Sequence, residues 1–394
     1  MKTPTAVMLA AGGLLVAGAA SATTIGPSAA DTGAAPANRG VHGRATGVDP
    51  TAYPQNGMLV YTKQNNRDLD IYTVRPDGIQ RTQLTFGGRA SRPAWSPDGS
   101  QIAYVRDTRQ GSQIKVMDPD GQNKRTVITV LGYPASLEWS PDGLWLAYSG
   151  PSETDGWEAD IFQVEVASGA AQTLFGTEGY EEAPVWSPNG KKLLYMSWDL
   201  NFHGSRVFML DTDAATTTEF ALGVKHAGWA TWTPDGAQVV YETYSDFEQG
   251  TDFYGFDLVA QDADGTHAHV LEDGPSDERE ATFRPQGDRL CFSRGDSNFY
   301  RDPSYWYGLS TIAPDGTGYV RLTRTGEHEP VWSPDGRFIA AIRTQYSRGG
   351  NHQKGLWVLR ANGSHLHQIV PGQVWDIDWQ PVPDPQPPAR STHR

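Results

Sequence analysis

The chain has 394 residues, of which 38% are hydrophobic and 20% charged, enough to bury a large core. Its formal net charge of −14 repels phosphate backbones and anionic lipid, so nucleic acid and membrane surfaces are poor partners. The 43 Gly and 27 Pro require many turns, and a single cysteine, Cys291, excludes an intrachain disulfide.

The first element is MKTPTAVMLAAGGLLVAGAASA, residues 1–22. One lysine, an apolar run and small residues at its end predict a secretory signal peptide cleaved after Ala22. The run is too short and too rich in Gly and Ala for a membrane anchor, and no Cys follows it to carry lipid. The mature protein is expected to be secreted, extracellular or periplasmic, with no membrane insertion. Residues 23–55 are rich in Ala, Gly, Pro and Thr and are expected to form a disordered leader.

From residue 56 to 380 one phrase recurs. RPAWSPDGSQIAYVR, SLEWSPDGLWLAYSG, APVWSPNGKKLLYMS, WATWTPDGAQVVYET and EPVWSPDGRFIAAIR are close copies, EATFRPQGDRLCFSR is a degenerate one, and DIDWQP is a partial last one. The aromatics Trp95, Trp139, Trp186, Trp232, Phe283, Trp332 and Trp379 are separated by 44, 47, 46, 51, 49 and 47 residues. That period indicates a solenoid or a propeller. Short β-branched and aromatic runs of period two follow each Gly, so the repeat reads as four antiparallel strands. The fold class is therefore all-β, a seven-bladed propeller.

In the phrase, Pro sets the second turn position, Asp bonds backbone locally and Gly takes the left-handed conformation. The aromatic is predicted to wedge between blades. DPDG-type phrases turn the outer hairpin; calcium binding there is the weaker reading, because the other ligands of a calcium loop are missing. Cys291 falls at the apolar position held by Ala103, Ala147, Leu194, Val240 and Ala340 in other copies, so it should be a buried filler. MLVYTK begins in mid-repeat and VWDIDW ends as a lone inner strand. Their pairing would complete the last blade and remove the open edge. Residues 381–394 form a Pro-rich tail.

The WSPDG phrase followed by an IAY-type strand resembles the TolB-like propeller repeat, over roughly residues 56–380. The resemblance implies the fold and leaves activity open, since such repeats occur in TolB, in propellers of prolyl-oligopeptidase-type peptidases, in oligogalacturonate lyases and in plain binding proteins. TolB carries a small α/β domain before six blades; the leader here is expected to leave no room for one, and the repeat count is seven. There is no G-x-S-x-G for a hydrolase domain.

The loops between second and third strands differ most: SGPSETDGWEAD, SWDLNFHGS, TYSDFEQGTDFYG, SRGDSNFYRDPSYWYG and RTQYSRGGNHQKG. Varied loops on a rigid scaffold are where binding resides. The links between blades end on the same face. They bring Glu181, Glu182, His226, Glu278, Arg279, Glu280, Glu327, His328 and Glu329 to a predicted ring around the axis, with His203 and His352 in nearby loops. Tyr300 and Trp306 could stack on a sugar or peptide, or fold over their own cluster.

The expected function is non-enzymatic recognition of a protein, peptide or glycan by a monomer, through Glu182, His226, Arg279, Glu280, Tyr300, Trp306, Glu327, His328 and His352, with no cofactor. The alternative is a metal-assisted polysaccharide lyase or hydrolase, in which imidazoles and carboxylates hold Mn or Zn. The lyase resemblance would place ligands at His328, His352 and Gln353, although GGNHQKG does not keep that family's spacing and no base is evident.

Overall fold

The computed structural model describes residues 56–152, 158–177, 179–199, 204–221, 224, 226–244, 256–272, 276–296, 306–343 and 354–382. The segments read as signal peptide, leader and most of the tail lie outside these residues, as does part of each long loop.

The described residues hold 28 strands. Their antiparallel pairings group them into seven sets of four, with one parallel bridge, Ala159 to Tyr180, between the second and third sets. The inner strands are Ala90–Trp95 (blade 1), Ser136–Trp139 (blade 2), Gly179–Trp186 (blade 3), Ala227–Trp232 (blade 4), Ser276–Phe283 (blade 5), Glu327–Trp332 (blade 6) and Val374–Trp379 (blade 7). Each inner strand lies beside the next, and that of blade 7 lies beside that of blade 1. The ring closes as expected. Val374–Trp379 pairs antiparallel with Leu59–Asn65, with Leu59 opposite Trp379 and Lys63 opposite Val374.

Local chemistry explains the repeated phrase. In each WSPDG-type turn the glycine has positive φ, from 66° at Gly336 to 77° at Gly287. Its N–H donates to the carbonyl three residues back, as from Gly99 to Ser96 at 2.8 Å. The Asp98 carboxylate accepts from Ser96 Oγ (2.6 Å) and from the Ser100 N–H (3.0 Å). The proline reaches the following blade: a Cβ placed on Gly236 would meet Pro188 Cδ at 3.5 Å. The aromatics are wedges. Trp139 Nε1 donates to the Ala94 carbonyl of blade 1 at 3.1 Å, and Trp332 Nε1 to the Thr282 carbonyl of blade 5 at 3.1 Å.

The core is divided among the blade interfaces. Ala103, Ile114 and Val116 of blade 1 meet Trp139, Leu146 and Tyr148 of blade 2, and Cys291 joins Trp332, Ile339 and Ala341 between blades 5 and 6. Cys291 is fully buried, and burial pushes its thiol up. It is the apolar filler that its repeat position predicts.

Candidate functional site

The inner strands are not regular. In six of them the ladder shifts register just before the aromatic, as between Ser91 and Ala94 and between His328 and Val331. The residue three before the aromatic has left-handed backbone there: Arg92, Ala183, Trp229, Glu280, Glu329 and Asp376. Non-glycine residues hold such φ values only where the surroundings enforce them. A bulge also leaves an N–H without a ladder partner, and that donor must be satisfied.

Carboxylates from the preceding blade satisfy several of them. Glu242 of blade 4 accepts the Glu280 N–H at 2.7 Å. Glu280 of blade 5 accepts the Glu329 N–H at 2.6 Å and Ser293 Oγ at 2.5 Å through the same Oε2. Asp376 of blade 7 accepts the Arg92 N–H at 3.1 Å and Thr62 Oγ1 at 2.9 Å. Two residues further on, Asp378 accepts the Trp95 N–H at 2.7 Å. These acids link neighbouring blades close to the axis.

Around this frame the structure brings Glu280, His328 and Glu329 together, with one ligand atom of each within 4.8 Å of the others. His328 Nδ1 is 3.6 Å from Glu329 Oε1. His328 is buried, and burial holds its imidazole below the usual range, hence neutral. Burial, with the charges of Glu280 and Asp376, drives the Glu329 carboxyl well above its usual range, and Arg92 opposes this only in part. Arg92 is also in electrostatic reach of Tyr180 and Glu182 on blade 3. One guanidinium therefore faces acids from both sides of the ring.

Several sequence-predicted residues fall elsewhere. Glu181, Glu278 and Glu327 are fully buried within the strands and do not ring an open mouth. They share one repeat position, five before the aromatic. The side chain opposite each in the ladder lies against it, although the Glu278 oxygens make no hydrogen bond and burial pushes that carboxyl up to about 9. Arg294 Nε lies 3.3 Å from Glu278, and Ser197 Oγ donates to Glu181 at 3.0 Å. The Arg343 guanidinium donates to Glu327. Burial alone would raise the Glu327 carboxyl, but Thr323 and Arg343 hold it below the usual range. Glu327 is thus an internal ion-pair residue.

Glu182 stays half-buried and accepts Trp198 Nε1 at 3.0 Å. Arg279 stacks over the Phe256 ring with its guanidinium carbon 3.7 Å from the centroid. His226, half-buried between blades 3 and 4, does not join the Glu280–His328–Glu329 group. Trp306 is described in its backbone alone, paired with Gly295. Tyr300, His203, His352 and Gln353 lie outside the described residues. Arg92, Glu242, Asp376 and Asp378 were missed. Their signal was charge inside otherwise apolar strands, as in SRPAW, VVYET and VWDIDW.

Residues 90–301 match the family described as TolB beta propeller domain. The chain belongs to that family. The chain is 27% identical over 158 residues to "Uncharacterized peptidase YuxL" of Bacillus subtilis, a match covering 39% of this chain and 22% of that protein. The chain thus spans about a fifth of that relative's length. Among solved structures, TolB from Acinetobacter baumannii superposes with a TM-score of 0.51 at 18% identity, covering 82% of each chain. An oligogalacturonate lyase in complex with manganese superposes with a TM-score of 0.57 at 14% identity, covering 81% of this chain and 86% of that one. At these identities the likeness of this TolB-type propeller to solved structures is one of fold.

Proposed function

We propose that this TolB-type propeller is an exported binding protein that recognises a protein, peptide or glycan on the face where the blade links and long loops converge. One observation carries the reading: four acids that link neighbouring blades are anchored. Glu242, Glu280, Asp376 and Asp378 each accept a backbone N–H from the next blade. Carboxylates held this way stiffen a scaffold and leave recognition to the variable surface around it. Glu182 and the Arg279–Phe256 stack offer opposite charges beside that surface. Export follows from the N-terminal pattern of residues 1–22.

The second reading, a manganese-dependent lyase, draws support from the convergence of Glu280, His328 and Glu329. In that case the ion would lie on these residues and supply charge to polarise a uronate carboxylate.

The test is an array of peptides and of acidic and neutral glycans, with turnover of oligogalacturonate followed in parallel. Saturable binding without product, weakened by joint Glu182→Ala and Arg279→Ala substitution, is the expected result. Manganese-dependent cleavage of the oligosaccharide, abolished by His328→Ala, would replace the binding reading with the lyase.

A further inference from the structure

Two adjacent bulges set an imidazole beside two carboxylates at a spacing that one ion could bridge. The contact from His328 Nδ1 to Glu329 Oε1 is 3.6 Å, and the three ligand atoms span up to 4.8 Å. Ligands that each sit about 2.0–2.2 Å from one ion lie roughly 3–4.3 Å apart. We propose that Glu280, His328 and Glu329 hold a divalent transition-metal ion of the Mn²⁺ to Zn²⁺ class between blades 5 and 6, beside the ring axis.

The donor set selects that class. Two carboxylates with one neutral imidazole suit Mn, Fe and Zn, whereas Mg and Ca prefer oxygen throughout. Orientation is already in place. Glu280 is fixed through Oε2, which takes both Ser293 Oγ and the Glu329 N–H, so Oε1 remains to coordinate. His328 is fixed by its strand, opposite Ile342, in a buried setting. The ion would join two blades where their ladders are interrupted. This inference does not depend on the ligand-binding reading, since metal is measured on the protein alone.

The experiment is metal analysis of the full chain, purified without a histidine tag, saturated with MnCl₂ or ZnCl₂ and dialysed, together with thermal melts. Expected are one ion per chain and a Tm raised by the metal. His328→Ala and Glu329→Gln should each weaken binding by roughly tenfold or more, since even orienting groups cost that much. Glu329→Gln keeps side-chain size, so it reads the site should His328→Ala fail to fold. His226→Ala should bind as wild type. No stoichiometric ion in the wild type, or an ion retained by both variants, overturns the proposal. Oligogalacturonate turnover plays no part in this measurement, so failure here leaves the binding reading intact.

Discussion

Glu138 and Asp378 show how much the channel environment changes an ordinary side chain. Both stand immediately before a wedge tryptophan, on blades 2 and 7. Glu138 keeps some accessible surface, yet protein surrounds it. Burial, then the charge of Asp378, push its carboxyl up to about 8. Burial pushes Asp378 up to about 6, against two backbone N–H bonds that favour its charge. Burial also pushes Glu242 up to about 8. A raised carboxyl pKa means that the folded chain binds more protons than the unfolded one between the two values. Its stabilising contribution is full below the unfolded value of about 4 and is lost as pH rises through the folded value. Tm should therefore fall from about pH 5 to about pH 9 on account of these groups. Glu138→Gln removes one of them, so its Tm should fall less steeply over that range. Calorimetry at several pH values checks this, and a variant slope equal to that of wild type would refute the assignment.

The repeated turn is the element on which the fold depends. Gly236 sits at φ 71° with Pro188 Cδ 3.5 Å from where a Cβ would lie. Gly236→Ala should cost about 1–2 kcal/mol, the left-handed penalty of an L-residue. Gly99 shares the φ, but its Cβ would meet the Pro381 carbonyl oxygen at 2.5 Å. Gly99→Ala should therefore cost clearly more, because backbone must move as well. Urea melts of the pair decide whether the difference lies in the contact or in the turn. These turns were legible in the sequence because Pro, Asp and Gly act within five residues of one another. So were the wedge tryptophans, whose spacing is the blade period, and the buried place of Cys291. The axial bonds were not. A carboxylate that satisfies the bulge of the next blade acts on a residue 38 positions away for Glu242 and 49 for Glu280. Nothing local in the sequence marks a bulge at a non-glycine residue. The same limit explains Glu327: its repeat position beside the links suggested exposure, and the arginine opposite it in the ladder, Arg343, turned it inward.

At the scale of the whole molecule, the ring depends on a strand pairing across more than 300 residues. Val374–Trp379 forms the inner strand of a blade whose other strands come from the start of the ring. The junction is tied beyond the ladder. Gln380 accepts the Met58 N–H at 2.9 Å and donates to the Gly99 carbonyl at 2.8 Å. Asp376 holds Thr62 and Arg92, and Asn56 donates to Asp335 of blade 6 at 3.0 Å. Blades 6, 7 and 1 thus converge on the same short segments. A chain ending after Gly372 would lose the wedge Trp379 and expose the edge of Leu59–Asn65, which then offers unpaired N–H and carbonyl groups to any other strand. Such a chain should associate through that edge and lose its cooperative melt. Trp379→Ala, which keeps the strand and empties one wedge, should keep the association state of the wild type and lose about 3–5 kcal/mol. Light scattering after size-exclusion chromatography, with melts of both proteins, separates the two effects. A truncated chain with the wild type's association state and unchanged Tm would show that blade-to-blade packing holds the ring without its closing strand.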